Sequence, residues 1–453
     1  MNLLTLEDIA IKGGGKLCGT PIDLKVKGVS IDSRTLEEGE LFLALKGPSF
    51  NGHDFVEEAL KRGASSFVVE KKVESKNPYI LVKDSYRFLN LFAKRMREEF
   101  KGSLIGVTGS NGKTSTKEII FSLLSAEDIC HKTLGNRNNQ IGVPLSLSSL
   151  NKNFLFSVIE IGTSSVGEIK DLSELARPNI ALITNATESH LEGLGSIESV
   201  VKEKGSILDS LKDNGIAILP RDSEFFNDWS KKARGRKIVS FGFHKDSQIV
   251  LRNPKVDVIK KTLIFEIRYD EEKMECEMNG IGIHNALNAC SAFAVAYALG
   301  LDLKKLNPQL GRLILPERRL SVHKSLRNSI VIDDSYNANP DSMKRSLDVM
   351  MNISGKKRIF IAGEMKELGK EEELLHEKIC EYAYKKVEEF LCVGELWKGG
   401  LKYVHEKGKY FDSKLDLLEY LKETLNSDSV IMVKGSRSTG MDFIADKLKV
   451  KEC

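Results

Sequence analysis

At 453 residues the chain is too long for one ordinary core, and at roughly 100–200 residues per domain it should divide into about three. With 41% hydrophobic and 29% charged residues, a fibre or a membrane protein is not expected. The net +4, from 68 Lys plus Arg against 64 Asp plus Glu, is too mild for a nucleic-acid binder, although a few well-placed cations could still hold a small anion. Seven cysteines, at 18, 130, 276, 290, 380, 392 and 453, never take C-x-x-C spacing, so neither a zinc knuckle nor a disulfide framework is expected. Thiols so used suit the cytoplasm. The first residues, Met1 to Asp8, lack a basic stretch followed by a long apolar one, so no signal peptide is expected. The most apolar stretch, Ala286 to Leu301, carries Asn288 and Ser291 and reads as a buried helix, with no membrane span expected.

In chain order three α/β zones emerge, with expected boundaries at 1–101, 102–315 and 316–453. The first mixes short apolar runs at 42–45, 66–69 and 79–82 with helical patterns at 54–62 and 85–100, and ends where Lys101-Gly102 breaks the helix. The second alternates strands (104–108, 154–161, 180–184, 217–219, 238–241) with helices (113–125, 196–212, 285–300) in the doubly wound manner. Within it, 248–278 changes character. Phe265-Glu266-Ile267-Arg268-Tyr269-Asp270 alternates apolar and charged residues, which predicts antiparallel strands with one wet face. The third zone begins near Pro316 and predicts strands at 330–332, 359–362, 390–393 and 430–433, with helices at 340–351, 371–387, 413–425 and 439–448.

The strand Leu104-Ile105-Gly106-Val107-Thr108 runs into Gly109-Ser110-Asn111-Gly112-Lys113-Thr114-Ser115 and then a helix. Glycines let backbone N–H groups curl around a phosphate, and the helix N-terminus adds its dipole. Lys113 could reach the terminal phosphates of ATP, and the Thr114 hydroxyl could sit on Mg²⁺. The alternative is an ordinary Gly-rich turn, but strand, loop, Gly-Lys-Thr and helix occur here in order. The usual loop has Gly where Val107 stands, and the glycine at 109 makes this a shortened variant. Glu160 ends an apolar strand, and His190 follows another by a short loop, so both open onto the phosphate-loop edge of a parallel sheet. Glu160 could hold Mg²⁺ or serve a structural partner. His190 is a poor magnesium ligand on softness and reads unaided as a loop hydrogen-bonder; Lys204 reads unaided as a solvated helix position.

The shortened loop resembles that of the Mur ligase and folylpolyglutamate synthetase superfamily, and the chain resembles a Mur ligase along nearly its whole length. Asp32-Ser33-Arg34, Gly39 to Gly47 and Gly52-His53-Asp54-Phe55 are similar to the family's UDP-binding module. The resemblance puts Ser33, Arg34 and Lys46 near a uridine diphosphate, for which an Arg fork is suited; unaided, Asp32 and Arg34 read as a surface pair. Gly135-Asn136-Arg137-Asn138-Asn139-Gln140 resembles the Asn-rich loop, with Gln140 where the family commonly has Glu; Asn138 and Asn139 are implied at the UDP-substrate. Glu160-Ile161-Gly162 and His190-Leu191-Glu192-Gly193 resemble its metal motifs, so Thr114, Glu160, His190 and a carbamylated Lys204 are implied as Mg²⁺ ligands, and Lys113, Glu160, His190 and Lys204 as catalytic. His284-Asn285-Ala286-Leu287-Asn288 matches a segment that implies Asn285 and Asn288 at a purine. The alternative is a helix cap at Asn285 and a merely buried Asn288.

Asp333-Asp334-Ser335-Tyr336-Asn337-Ala338-Asn339-Pro340-Asp341-Ser342-Met343 is the most specific string, and Gly363-Glu364-Met365-Lys366-Glu367-Leu368-Gly369 and Lys434-Gly435-Ser436-Arg437 also match. ATP contacts are implied for Thr108 to Ser115, Asn285, Asn288, Arg319, Asp334 and Asn337. Glu364 replaces the usual Asp, and Glu317-Arg318 replaces Pro-Gly before Arg319. The resemblance thus implies a small α/β UDP-binding domain, a central doubly wound P-loop ATPase-like domain with an antiparallel addition, and a C-terminal Rossmann-like α/β domain. It also implies an ATP- and Mg²⁺-dependent amide ligase, expected to be a monomer, that joins UDP-N-acetylmuramoyl-tripeptide to D-alanyl-D-alanine through an acyl phosphate. The alternatives are a sister ligase adding one amino acid, a folate polyglutamylating enzyme, a non-catalytic nucleotide-binding regulator on the same fold, and a P-loop GTPase or kinase.

Overall fold

The computed structural model describes residues 4–20, 23–126, 129–353 and 356–450. It is a three-domain α/β structure with a separate main sheet in each domain. In the first, Lys16–Cys18, Tyr79–Leu81, Ser66–Val69, Leu41–Leu43 and Val29–Ser30 lie side by side, parallel except for the first pair. Helix Ser85–Glu99 is capped by the Asp84 side chain, which accepts from Arg87 N (2.8 Å), and it buries Phe88, Leu89, Phe92 and Met96 at helical spacing. Its last turn joins the first domain to the second. The buried Arg97 guanidinium donates to Ala176 O (2.5 Å) and Arg177 O (2.7 Å), the carbonyls that end helix Glu168–Ala176, where a cation meets the negative end of the helix dipole.

The central sheet has nine strands. The phosphate-loop strand Ser103–Thr108 lies between Phe156–Glu160 and Ile180–Ile183, both parallel to it, and the chain departs to opposite sides of it. Glu160 pairs in register with Val107, and Ile183 with Thr108, so the carboxyl ends of three strands meet at this switch point. Beyond Lys237–Gly242 the sheet continues into Ile249–Asp257, Thr262–Tyr269 and Glu272–Asn279, whose last two pairings are antiparallel. Burial along Thr262–Tyr269 alternates as the charged-apolar pattern predicts. In the C-terminal domain Ser321–Lys324 pairs antiparallel with Ile330–Asp333, and Ser429–Lys434, Lys357–Gly363, Glu389–Val393 and Gly408–Phe411 follow in parallel.

The long apolar strands are found where predicted. The sequence pattern misses Cys130–Lys132, Ser321–Lys324 and Gly408–Phe411, three short edge strands that are largely half-buried and carry no apolar run. It also misses helices Gly142–Ser148, Glu168–Ala176 and Phe226–Lys232, and it joins Ile197–Gly205 and the 3₁₀ turn Ser206–Leu208 into one helix. Cys18, Cys130, Cys276, Cys290, Cys380 and Cys392 are unpaired; Met1, Asn2, Leu3 and Cys453 lie outside the described residues. No helix among the described residues is long and apolar enough to cross a membrane.

On the edge strand, the His131 ring sits 3.0 Å from Ser157 Oγ and stacks at 5.3 Å on Phe154, and burial pushes its pKa down to about 4. His284 is also pushed down to about 4, first by burial and then by Arg345. In the unfolded chain both histidines protonate near pH 6.5. Between about pH 6.5 and 4 the unfolded state therefore binds protons that the folded state refuses, and stability falls as pH falls. The urea midpoint should drop across this window, and His131→Gln should make the drop shallower; an unchanged slope would contradict this account.

Candidate active site

The phosphate loop is pressed between two neighbours. Gly109, at φ +146°, faces Thr184 so closely that a Cβ would meet its Oγ1 at 1.9 Å, and a Cβ on Gly112 (φ +81°) would meet Asn288 Oδ1 at 2.5 Å. Only glycine fits either position. The loop is tied down by Ser110 N donating to Asn185 O (3.0 Å) and Asn111 N donating to Asn185 Oδ1 (2.9 Å). Ser110 Oγ accepts from Thr187 N (3.0 Å) and Ser189 Oγ (2.8 Å). The Lys113 ammonium folds back onto Gly109 O (2.7 Å) and Ser110 O (3.2 Å), in the mouth of the loop. Burial lowers its pKa, Glu160 opposes this, and Arg319 adds to it. Thr108 and Ser115 are buried beneath the loop.

Thr114, first predicted as a metal ligand, donates to Glu160 Oε1 (3.1 Å), which also accepts from Asn138 Nδ2 (2.8 Å). Glu160 is 1% exposed, yet its Oε2 has no hydrogen-bond partner. The nearest cation is the fully buried Lys117, 3.7 Å from that oxygen, whose Nζ also donates to Thr133 O (2.9 Å) and Gly135 O (2.7 Å). Lys117 thus anchors the start of the Asn-rich loop and shares its charge between Glu118 (3.1 Å) and the more deeply buried Glu160. From the C-terminal domain, Arg319 donates to Thr114 Oγ1 (3.1 Å) while its guanidinium stacks 4.1 Å over the Tyr336 ring.

Lys204 is 0% exposed and its Nζ has no hydrogen-bond partner, the opposite of a solvated helix face. Burial, reinforced by Lys113, drives its pKa well below the ordinary value. The adjacent Glu203 points elsewhere, accepting from Gly167 N and Ile169 N (2.8 Å each) at the start of helix Glu168–Ala176. Burial pushes the Glu168 carboxyl up, but donors from Ser164 N, Ser165 N, Gln140 and Thr163 prevail and hold it below its usual range. A Glu at position 140 would set two carboxylates together there. His190 adopts φ +54°, and its Nδ1 is hydrogen-bonded to Glu367 Oε2 of the C-terminal domain.

Of the two asparagines expected at a purine, Asn288 Oδ1 lies against Gly112, while Asn285 Nδ2 donates to Ile281 O (2.7 Å); both are nearly buried. Asp334 is largely committed within the protein, accepting from Lys434 (2.6 Å), Ser346 Oγ (2.6 Å) and Leu320 N (3.2 Å). Asn337 is exposed. In the first domain Ser33 is buried, Lys46 is exposed, and Arg34 forks onto Asp32 at 2.9 and 2.8 Å, the surface pair that unaided reading allowed. Asn139 Oδ1 accepts from Gly142 N (2.9 Å), starting helix Gly142–Ser148.

The domains meet over the loop. Asn111 Nδ2 donates to Asp341 Oδ2 (2.9 Å), and Asn339 Nδ2 donates to Asn111 Oδ1 (2.9 Å). Sequence reading missed Lys117, Asp341 and Glu367. Lys117 had one signal, a cation one helical turn after Lys113; the other two depend on how the domains dock. Among the described residues no three His, Cys, Asp or Glu side chains cluster at metal-ligand spacing. Thr114 and a carbamylated lysine lie outside that set. The orphaned, buried Glu160 Oε2 suits a hard cation held by oxygen ligands, and the orphaned Lys204 Nζ would suit it only as a carbamate, which supplies oxygens.

A phosphate loop at a switch point, a lysine and a glutamate desolvated beside it, and a third domain resting on it define a class of nucleotide-dependent ligase. Three family matches agree: the Mur ligase family catalytic domain over residues 25–96, the Mur ligase middle domain over 107–296, and the Mur ligase glutamate ligase domain over 318–437. The chain belongs to the Mur ligase family. It is 34% identical over 434 residues to UDP-N-acetylmuramoyl-tripeptide–D-alanyl-D-alanine ligase of Buchnera aphidicola subsp. Baizongia pistaciae, covering 95% of this chain and 93% of that one. The crystal structure of MurF from Acinetobacter baumannii aligns with a TM-score of 0.89 at 28% identity over 99% of both chains. MurF ligase from Thermotoga maritima in complex with ADP aligns with a TM-score of 0.80 at 28% identity, over 93% of this chain and 97% of that one.

Removing the Lys117 ammonium leaves Glu160 buried without its cation. Lys117→Met should destabilise the protein by roughly 3–5 kcal/mol in urea unfolding, the range for breaking a buried pair from one side. A loss below about 1 kcal/mol, typical of an exposed pair, would contradict this role.

Proposed function

We propose that this chain is an ATP-dependent amide ligase that joins the terminal carboxylate of UDP-N-acetylmuramoyl-tripeptide to the amine of D-alanyl-D-alanine, a step of peptidoglycan precursor synthesis. The observation that carries the reading is the contact of Asn339 and Asp341, within the most specific string of the sequence, with Asn111 of the phosphate loop. The 34% identity to a ligase of that name along nearly the whole chain supports it. Residues 1–101 would take the UDP end, 102–315 ATP and its metal, and 316–453 the dipeptide. We take a monomer as the working unit. Its unpaired cysteines and nucleotide substrates suit the cytoplasm.

In this reading the loop N–H groups and Lys113 hold the ATP phosphates, with Asn285 and Asn288 near the purine. The substrate carboxylate attacks the γ-phosphorus, the bond to the β-phosphate oxygen breaks, and ADP leaves. The dipeptide amine then attacks the acyl carbon, loses a proton, and expels phosphate. Thr114 and Glu160 would hold one Mg²⁺, and His190 and carbamylated Lys204 a second; when bound, the ions supply charge screening between carboxylate and phosphate. Arg319 and the docked C-terminal domain keep water from the acyl phosphate. Carbamylation needs a neutral amine, and burial of Lys204 shifts the amine toward that form.

Purified protein should release ADP only with both UDP-N-acetylmuramoyl-tripeptide and D-alanyl-D-alanine; turnover with a single amino acid in place of the dipeptide would overturn the assignment. Protein equilibrated with ¹³C-bicarbonate should show a carbamate carbon signal that Lys204→Ala abolishes. That variant should lose at least about 100-fold in activity, the scale of one electrostatic group at a reacting centre, and regain part of it with short carboxylic acids. Full activity in the variant without rescue would remove Lys204 from the mechanism.

A further inference from the structure

We infer that Glu367 is a positioning residue: it orients His190 and makes a correctly presented metal side of the site conditional on docking of the C-terminal domain. The inference rests on the proposed role of His190 at the metal, and extends it to a residue that no step of the mechanism uses.

Three observations converge. The Glu367 carboxylate is hydrogen-bonded to His190 Nδ1, across the junction between the C-terminal and central domains. A metal-binding imidazole ordinarily donates its second ring nitrogen to such a carboxylate, which sets the tautomer and would leave Nε2 of His190 as the nitrogen available to a metal. Both partners hold left-handed backbone, His190 at φ +54° and Glu367 at φ +65°, a conformation disfavoured for both side chains and found preferentially where the surroundings over-determine it. The junction supplies those surroundings. Glu192 N donates to Glu367 O (3.1 Å), and Leu191 and Leu194 share an apolar cluster with Met365 and Leu368 from either side of Glu367.

The consequence is a coupling. His190 lies on the central domain and its orienting carboxylate on the last one, so undocking leaves the imidazole free to turn. The ATP side differs, because Thr114, Glu160 and Asn138 are held to one another within the central domain. Docking also brings Arg319 onto Thr114, but the Thr114–Glu160–Asn138 bonds stay within the central domain, so undocking would disturb the histidine side of the metal site more than the phosphate-loop side.

The test is a Mn²⁺ titration of the full chain in the presence of ADP, read as free Mn²⁺ by electron paramagnetic resonance, without turnover. Glu367→Ala should weaken Mn²⁺ binding about 10–100-fold, the range for losing an outer partner of a ligand. Glu367→Gln, whose amide oxygen still accepts from Nδ1–H, should lose less, and it keeps the test decisive if the alanine variant folds poorly. Added to His190→Ala, either change should have no further effect. Normal Mn²⁺ affinity in both Glu367 variants beside a weakened His190→Ala would overturn the inference and leave the proposed role of His190 standing. Losses that add to that of His190→Ala would also overturn it, because Glu367 would then act on the metal independently. Normal affinity in His190→Ala would remove His190 from the metal, and this inference with it.

Discussion

The Lys204 amine is completely buried and has no hydrogen-bond partner, and the organisation of the site follows from that cost. An ammonium there would lose its hydration without a hydrogen bond in return, so burial disfavours the charged form. Lys113 adds to the pressure by repelling a second positive charge, while Glu203 and Glu168 oppose it; Glu203 spends its oxygens on the backbone of helix Glu168–Ala176. An amine so completely desolvated beside a phosphate loop is unusual as a structural element. Glu160 mirrors it with opposite sign, one oxygen bonded to Thr114 and Asn138 and the other facing only Lys117.

These groups are brought together by strand register. Glu160 opposite Val107 and Ile183 opposite Thr108 put the carboxyl ends of three neighbouring strands at one level. The glycines at 109 and 112 then let the loop settle onto Thr184 and Asn288, which come from the next strand and from a helix almost two hundred residues downstream. The C-terminal domain completes the enclosure through Asn339, Asp341, Arg319 and Glu367, each touching the central domain at a loop rather than at its core. Loop contacts of this kind can be released and remade without unfolding either domain, which suits a lid.

Much of this was legible in the chain. Long apolar runs bounded by turn residues mark the buried strands, because a strand covered on both faces has few places for polar side chains. The phosphate loop was legible because its chemistry needs consecutive residue types, glycine, lysine and threonine, in one place. The antiparallel addition showed in strict alternation, since one face of Thr262–Tyr269 is wet. The edge strands Cys130–Lys132, Ser321–Lys324 and Gly408–Phe411 were not legible: three or four half-solvated residues carry no pattern stronger than a loop. Arg34 gave a signal that two environments explain equally, and here it pairs with its neighbour Asp32.

The sequence by itself determined the local chemistry: a phosphate loop, a carboxylate at a strand end, and a family pattern along three zones. The tertiary structure alone decided which charges are dry. Lys117 and Lys204 resemble surface lysines in composition and spacing, and become buried only when distant segments pack over them. It also decided that Asp334 is engaged by Lys434 and Ser346, and that Glu367 reaches His190. Local pattern reports what a residue can do, whereas desolvation and partnership depend on atoms contributed by segments far away in the chain.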